Sequence, residues 1–220
     1  TNTTDKVTGQ INIIQEQTAA VANKALNLVR LQRLPNGDKK IAVFYWNYPP
    51  GEKNLSASYL NVTRSAVATL KALQAAGYDT RPDEETVLIN NLQRLLAPFY
   101  RDGELQSLLR DGLAERLPLK TYRAWLDGLP PAVRNELNER WGAPEKSAMV
   151  IVDRGEAVFV IPRLAAGKII FTPQAPRGER WEAKEKALYH STKAAPSHFY
   201  LAQYLWARAG FKADAIVHYG

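Results

Sequence analysis

Three side chains in this sequence can take up a proton near neutral pH or bind a metal through nitrogen: His190, His198 and His218. All three lie in the last 31 residues. His190 and His198 stand eight apart across Ala195-Pro196, a spacing that does not put them on one helical face. His218 differs because it closes an apolar run, residues 213–218, that reads as a buried strand. In open α/β sheets, ligands sit in the crevice beyond the carboxyl ends of the strands. A neutral imidazole there can ligate a metal or carry a proton. Each histidine taken alone also has the plain reading of a surface or hydrogen-bonded structural side chain.

Several chemistries are absent. The sequence has no cysteine, which excludes disulfides, thiolate metal sites and a thiol nucleophile. It has no GxxxxGK[ST] or GxGxxG phosphate loop, no GxSxG elbow and no HExxH helix. The net charge is +7, spread as +4 over residues 1–80, −1 over 81–150 and +4 over 151–220. That excess suits an anionic ligand or an ordinary solvated surface, and it lacks the dense Lys/Arg runs of a nucleic-acid binder. No apolar stretch reaches the ~18 residues of a membrane span. Residues 1–10 are polar and do not read as a secretory signal, so a cytoplasmic chain is expected.

The elements that must position the histidines follow from the hydrophobic pattern. Residues 5–34 read as a helix, with Ile11, Ile14, Val21, Ala22, Ala25, Leu28 and Val29 at three- and four-residue steps. After Pro35-Asn36-Gly37-Asp38, residues 41–46 form a short apolar run expected of a strand buried on both faces. Residues 47–61 are a polar loop, and residues 63–76 a helix ended by Gly77. Strand, loop and helix make half of a βαβ unit. Residues 83–146 look helical throughout, broken by Pro98, Pro118, Pro130-Pro131 and Pro144. A β-hairpin is expected from residues 148–152 and 157–161 around Asp153-Arg154-Gly155-Glu156, with another strand at 168–171. Pro196 suits the first turn of a helix running to Ala209, with Gly210 at its end. The expected fold is α/β: a Rossmann-like, mostly parallel sheet with a helical insertion and a hairpin. Its parts are an N-terminal helix (1–36), a first half (37–82), the insertion (83–146) and a second half (147–220).

One family resembles this chain in several collinear blocks. The longest is Tyr189-His190-Ser191, then Pro196-Ser197-His198-Phe199-Tyr200-Leu201-Ala202, then Phe211-Lys212-Ala213-Asp214-Ala215-Ile216-Val217-His218-Tyr219-Gly220. Others are Asn47-Tyr48-Pro49-Pro50-Gly51, Leu60-Asn61-Val62-Thr63-Arg64-Ser65, Trp141-Gly142-Ala143-Pro144-Glu145 and Thr172-Pro173-Gln174-Ala175-Pro176-Arg177-Gly178. Together these resemble the large subunit of cobaltochelatase and its relative, the porphyrin-binding large subunit of magnesium chelatase. The resemblance implies a subunit that binds a tetrapyrrole and inserts a divalent metal, cobalt being the first expectation. Separate AAA+ subunits would hydrolyse ATP, in keeping with the missing phosphate loop. The family continues past His-x-Gly with Thr-His-Gly and a nearby Glu, so this chain is expected to be a segment of a longer polypeptide, inactive alone.

Under that resemblance the expected roles are these. His218 and His198 face the macrocycle or metal, with His218 as the metal ligand and His190 nearby. Arg64 and Arg177 hold peripheral carboxylates, because guanidinium forks match them. Asn47, Tyr48, Tyr200 and Gly220 also contact the substrate. Tyr45, Trp46, Tyr48, Tyr200 and Trp206 supply flat walls, or else are simply core. Removal of metal from a porphyrin, a non-catalytic ligand module and a surface docking the AAA+ ring remain as other readings.

Overall fold

The computed structural model describes residues 2–57, 59–180 and 195–219. The chain opens with an antiparallel pair, β1 (Asn2–Thr4) and β2 (Ile11–Ile13), followed by α1 (Gln15–Arg33). The pair replaces the first turns of the helix expected from residue 5. Asp5 explains the change, since its carboxylate accepts from Val7 N at 2.8 Å and Thr8 N at 2.9 Å and so closes a turn. No residue of α1 is buried, and Val21, Leu28 and Val29 stay exposed. Its apolar stripe has the helical period but is left largely uncovered by the described residues.

The next elements are β3 (Ile41–Tyr45), the short pair β4 (Ser56–Ala57) and β5 (Leu60–Asn61), α2 (Val62–Ala75) and α3 (Glu85–Leu96). Asn61 caps α2, its side chain accepting from Arg64 N at 3.0 Å. Gly77 follows with φ 83°, as a helix-ending glycine should. Then come α4 (Leu105–Arg110), β6 (Ala114–Pro118), α5 (Leu119–Asp127) and α6 (Pro131–Trp141). The strand β6 corrects the expectation of an all-helical stretch. Leu113 continues the spacing of Leu105, Leu108 and Leu109, yet Gly112 (φ 70°) has already ended the helix. The last elements are β7 (Val150–Asp153), β8 (Glu156–Pro162), β9 (Leu164–Ala166), β10 (Ile169–Pro173), α7 (His198–Leu205) and β11 (Ala215–Tyr219). A single π-turn, Trp206–Gly210, extends α7.

Two sheets matter. The first has the order β11-β3-β10-β9, with β11, β3 and β10 parallel and β9 antiparallel at one edge. Its centre, β3, is buried along its whole length, which is why it reads as a continuous apolar run. The second is antiparallel, β6-β8-β7. The expected hairpin is β7–β8, tightened to a two-residue turn in which Arg154 (φ 52°) and Gly155 (φ 82°) both have positive φ.

Side chains alternate across the parallel sheet. Phe44, Thr172 and His218 are in register and share one face, which α7 covers: Gln203 Nε2 donates to Thr172 Oγ1 at 2.6 Å and Tyr204 stacks on Phe44. Tyr45 and Tyr219 point to the other face. There the Tyr45 hydroxyl donates to Leu92 O of α3 at 2.7 Å and the Tyr219 hydroxyl meets Thr69 of α2. Helices therefore cover both faces, and one hydrophobic core joins the two sheets.

The turn from β9 to β10 tests how closely the layers fit. Gly167 has φ 68°, and a Cβ there would lie 2.4 Å from Asp79 O, while Lys168 N donates to that oxygen at 2.8 Å. Gly167→Ala should lower unfolding free energy by about 1–3 kcal/mol. A urea titration checks it, and an unchanged midpoint would show that the turn is free to shift.

Candidate functional site

The carboxyl ends of β11, β3 and β10 open on one side of the first sheet. The ladder runs one residue further there: Trp46 N donates to Tyr219 O and Gln174 N donates to Tyr45 O, both at 2.8 Å. Beyond them lies a cleft of about 210 Å³ lined by Phe44, Trp46, Gln174, His218 and Tyr219. This is where an α/β sheet of this topology places a ligand.

Aromatic rings build the cleft wall. His218 lies 5.3 Å from Phe44 and 6.0 Å from Tyr204, centroid to centroid, with only 27° between the imidazole and Tyr204 planes. Phe44 and Tyr204 stack at 4.7 Å and 13°. Tyr200 extends the group, 5.2 Å from Tyr204. The exposed imidazole thus packs beside the Phe44–Tyr204 pair. Burial, then the neighbouring Tyr200, pushes the Tyr204 hydroxyl well above its usual pKa of 10.0, so it stays protonated and donates to Gln174 Oε1 at 2.8 Å. Among the described residues, no three His, Asp or Glu side chains come close enough to share a metal ion. His218 is therefore a single nitrogen donor on this part of the wall.

Several expected site residues lie elsewhere, each for a physical reason. His198 is 1% exposed, and both its ring nitrogens are engaged. Nδ1 faces the Tyr122 hydroxyl at 2.8 Å and Nε2 faces Gly142 O at 2.9 Å. The carbonyl can only accept, so Nε2 carries the proton and Nδ1 accepts from Tyr122. This histidine ties α7 to α5 and α6 and does not face the cleft. Burial chiefly holds its pKa below the usual 6.5, with the Arg123 charge adding to the effect against the Gly142 bond and Glu145.

Asn47 is likewise fully buried. Its amide donates to Gly51 O at 2.8 Å and to Asn54 O, while Oδ1 accepts from Gly51 N at 3.2 Å and from Tyr100 at 2.5 Å. All its capacity goes into shaping the loop after β3, so in this structure it anchors that loop and presents no free polar atom to the cleft. Tyr45 and Trp206, expected as possible walls, are core side chains: Tyr45 is bonded to Leu92 O and Trp206 stacks on Phe211 at 5.9 Å.

The rest fall nearer to expectation. Trp46 lines the cleft, and Tyr200 stands in its aromatic group. Tyr48, half exposed, begins the loop beyond β3. Arg64 projects from the first turn of α2 and meets Glu85 at 3.5 Å. Arg177 accepts from Ser197 N through its carbonyl at 2.7 Å, which moors the start of α7. His190 and Gly220 lie outside the described residues. Phe44, Gln174, Tyr204 and Tyr219 were not foreseen. The strand-end rule that singled out His218 applies equally to Phe44, Gln174 and Tyr219, and Tyr204 lies one helical turn from Tyr200.

A family description, CobN/Magnesium Chelatase, matches residues 1–220. The chain belongs to this family. It is 32% identical over 203 residues to the aerobic cobaltochelatase subunit CobN of Pseudomonas aeruginosa, covering 91% of this chain and 15% of that one. It is 26% identical over 219 residues to the chloroplastic magnesium-chelatase subunit ChlH of Oryza sativa subsp. indica, covering 98% of this chain and 15% of that one. The fold matches the catalytic subunit of cobaltochelatase from Mycobacterium tuberculosis with a TM-score of 0.74 and 28% identity, covering 99% of this chain and 18% of that chain. The chain thus spans about one-sixth of the length of the relatives it resembles. Among the described residues, no helix is long and apolar enough to cross a membrane.

The buried polar cluster around His198 makes its own prediction. Tyr122→Phe removes the donor to a buried Nδ1 and should cost about 1–3 kcal/mol of stability. The folded pKa of His198 lies below 6.5, so the unfolded chain takes up the proton first as pH falls. Its contribution is complete above about pH 6.5, falls as pH drops through that value and levels off below the folded pKa. Nearby Glu179, whose carboxyl burial raises above 4.5, acts with the opposite sign: its contribution is lost as pH rises through its folded pKa. Denaturant titrations at several pH values between 7.5 and 5 check this. His198→Asn should abolish the drop below pH 6.5, and an identical pH profile in both proteins would remove His198 as its source.

Proposed function

We propose that this chain is part of the tetrapyrrole-binding large subunit of an ATP-dependent metal chelatase that inserts cobalt into a corrinoid precursor of the hydrogenobyrinate diamide type. The observation that carries this reading is the exposed His218 imidazole packed on Phe44 and Tyr204 at the strand ends, with Tyr200 extending the group from Tyr204. Metal insertion requires removal of the inner N–H protons of the macrocycle and exchange of the metal's water ligands. A neutral imidazole accepts a proton or ligates a divalent cation, and flat apolar rings suit a flat macrocycle.

The choice of cobalt rests on donor chemistry. Imidazole nitrogen suits late first-row metals, whereas magnesium takes oxygen ligands and dehydrates reluctantly. Magnesium insertion into a porphyrin is the second reading, favoured by the likeness to subunit ChlH. The metal is a substrate here, and ATP would be hydrolysed by AAA+ partners, since the sequence has no phosphate loop. At about 210 Å³ the cleft is smaller than the roughly 300–1,000 Å³ of ordinary small-molecule sites. It would therefore hold one edge of the macrocycle, with the remaining walls supplied by other parts of the subunit.

The test is His218→Ala in the full-length subunit, assayed with its ATPase partners and with cobalt and magnesium in turn. Loss of a positioned proton acceptor should lower insertion by about 10²-fold or more, with tetrapyrrole binding changed only a few-fold. Wild-type rates in the variant would overturn the role of His218, and faster insertion of magnesium than of cobalt by the wild type would favour the second reading.

A further inference from the structure

Among the described residues, Gln174 is the one amide side chain on the cleft wall, and its surroundings fix which way it points. It is 5% exposed and stands one residue past the end of β10. Its Oε1 accepts from the Tyr204 hydroxyl at 2.8 Å, and its Nε2 donates to Ala175 O at 3.3 Å. Exchanging the two ends of the amide would set Oε1 against the Ala175 carbonyl, acceptor against acceptor, so only this orientation satisfies both contacts. The nitrogen has two protons, and among the described residues only Ala175 O accepts from it, which leaves one proton to offer.

The backbone beneath is rigid for an independent reason. Gln203, fully buried, donates to Thr172 Oγ1 at 2.6 Å and Pro173 O at 2.8 Å, and accepts from Ala175 N at 3.3 Å. With Gln174 N on Tyr45 O, residues 172–175 are held on both sides. A preorganised donor of this kind, in a wall otherwise made of Phe44, Trp46, His218 and Tyr219, carries no charge. It can recognise an acceptor oxygen without attracting anions at large.

We propose that Gln174 is a ligand-reading residue: the remaining N–H of its locked amide donates to an oxygen acceptor on the periphery of the bound macrocycle. The acceptor is a side-chain carboxylate or a side-chain amide carbonyl, which present the same chemistry to a neutral donor. Tyr204 serves this contact indirectly, by holding the carbonyl end of Gln174 turned away. The inference rests on the reading of the cleft as a tetrapyrrole site, and its test separates the two.

Binding of mesoporphyrin IX, as the dicarboxylate and as its bis-amide, is measured on the full-length protein by Soret shift and tryptophan quenching. Gln174→Met keeps the length of the side chain and removes the donor, so affinity should fall about tenfold. Gln174→Glu keeps the shape and replaces the donor with an anionic acceptor. This variant should lose about 10²-fold on the dicarboxylate and much less on the bis-amide, whose own N–H can donate to the new carboxylate; an equal loss on both would overturn a direct contact with the ligand oxygen. Melting curves confirm that each variant is folded, and two variants guard against the failure of one. Affinities within twofold of wild type for both variants and both ligands would overturn the inference. Failure of the wild type to bind either porphyrin, and hydrogenobyrinate diamide measured alongside them, would instead overturn the tetrapyrrole reading.

Discussion

The parallel register of β3 with β10 and β11 is the constraint on which the rest depends. Parallel strands cannot be joined by a tight turn, so the chain must leave the sheet and return for each one. Pairing of Phe44 with Thr172 and His218 brings together residues that lie far apart in sequence. Everything between Trp46 and Lys168 is compatible with that return, including α2 and α3 on one face and the antiparallel β6–β8 sheet beyond. A slip of one residue in either pairing would turn His218 or Phe44 to the opposite face, against α2 and α3, and close the cleft.

A second rule explains which polar residues reach the cleft. A buried polar group must find a partner or pay its desolvation in full. Asn47, His198 and Gln203 are all fully or nearly fully buried, and each meets this demand through internal bonds. Asn47 shapes the loop after β3, His198 joins α7 to α5 and α6, and Gln203 grips the end of β10. None has a free atom to offer a ligand. The groups that do face the cleft, His218 and Gln174, are the ones such partners orient: His218 by stacking, Gln174 by Tyr204.

The helix α7 carries both kinds of residue. Ser197 caps it, accepting from Tyr200 N at 3.2 Å, and His198 and Phe199 sink into the core. Tyr200 and Tyr204, one turn apart, look toward β3 and His218. At its end the π-turn needs Gly210, where a Cβ would lie 2.7 Å from the Trp206 ring. One extra residue in that turn lets Ala213 N reach Ala207 O and Asp214 N reach Lys40 O, which starts β11 in register.

The sequence by itself determined the elements whose patterns are local: the buried run of β3, the hairpin with Arg154-Gly155, the glycine after α2, and a strand through His218. That last strand, expected to be buried, runs from Ala215 to Tyr219 at the sheet edge with Ile216 and Val217 exposed. It also carried the family, because collinear motifs survive where single motifs mean little. Local pattern failed where a neighbour decides the outcome. Residues 114–118 become a strand only because β8 lies alongside, and the stripe on α1 has the right period yet buries none of its residues. The site divided in the same way. Residue type and strand-end position placed His218 at the cleft that the structure shows. Burial and hydrogen-bond partners, which no spacing encodes, took His198 and Asn47 out of the cleft and put Gln174 into it, held by Tyr204 from behind. Those contacts join residues far apart in sequence, so only the tertiary structure could decide them.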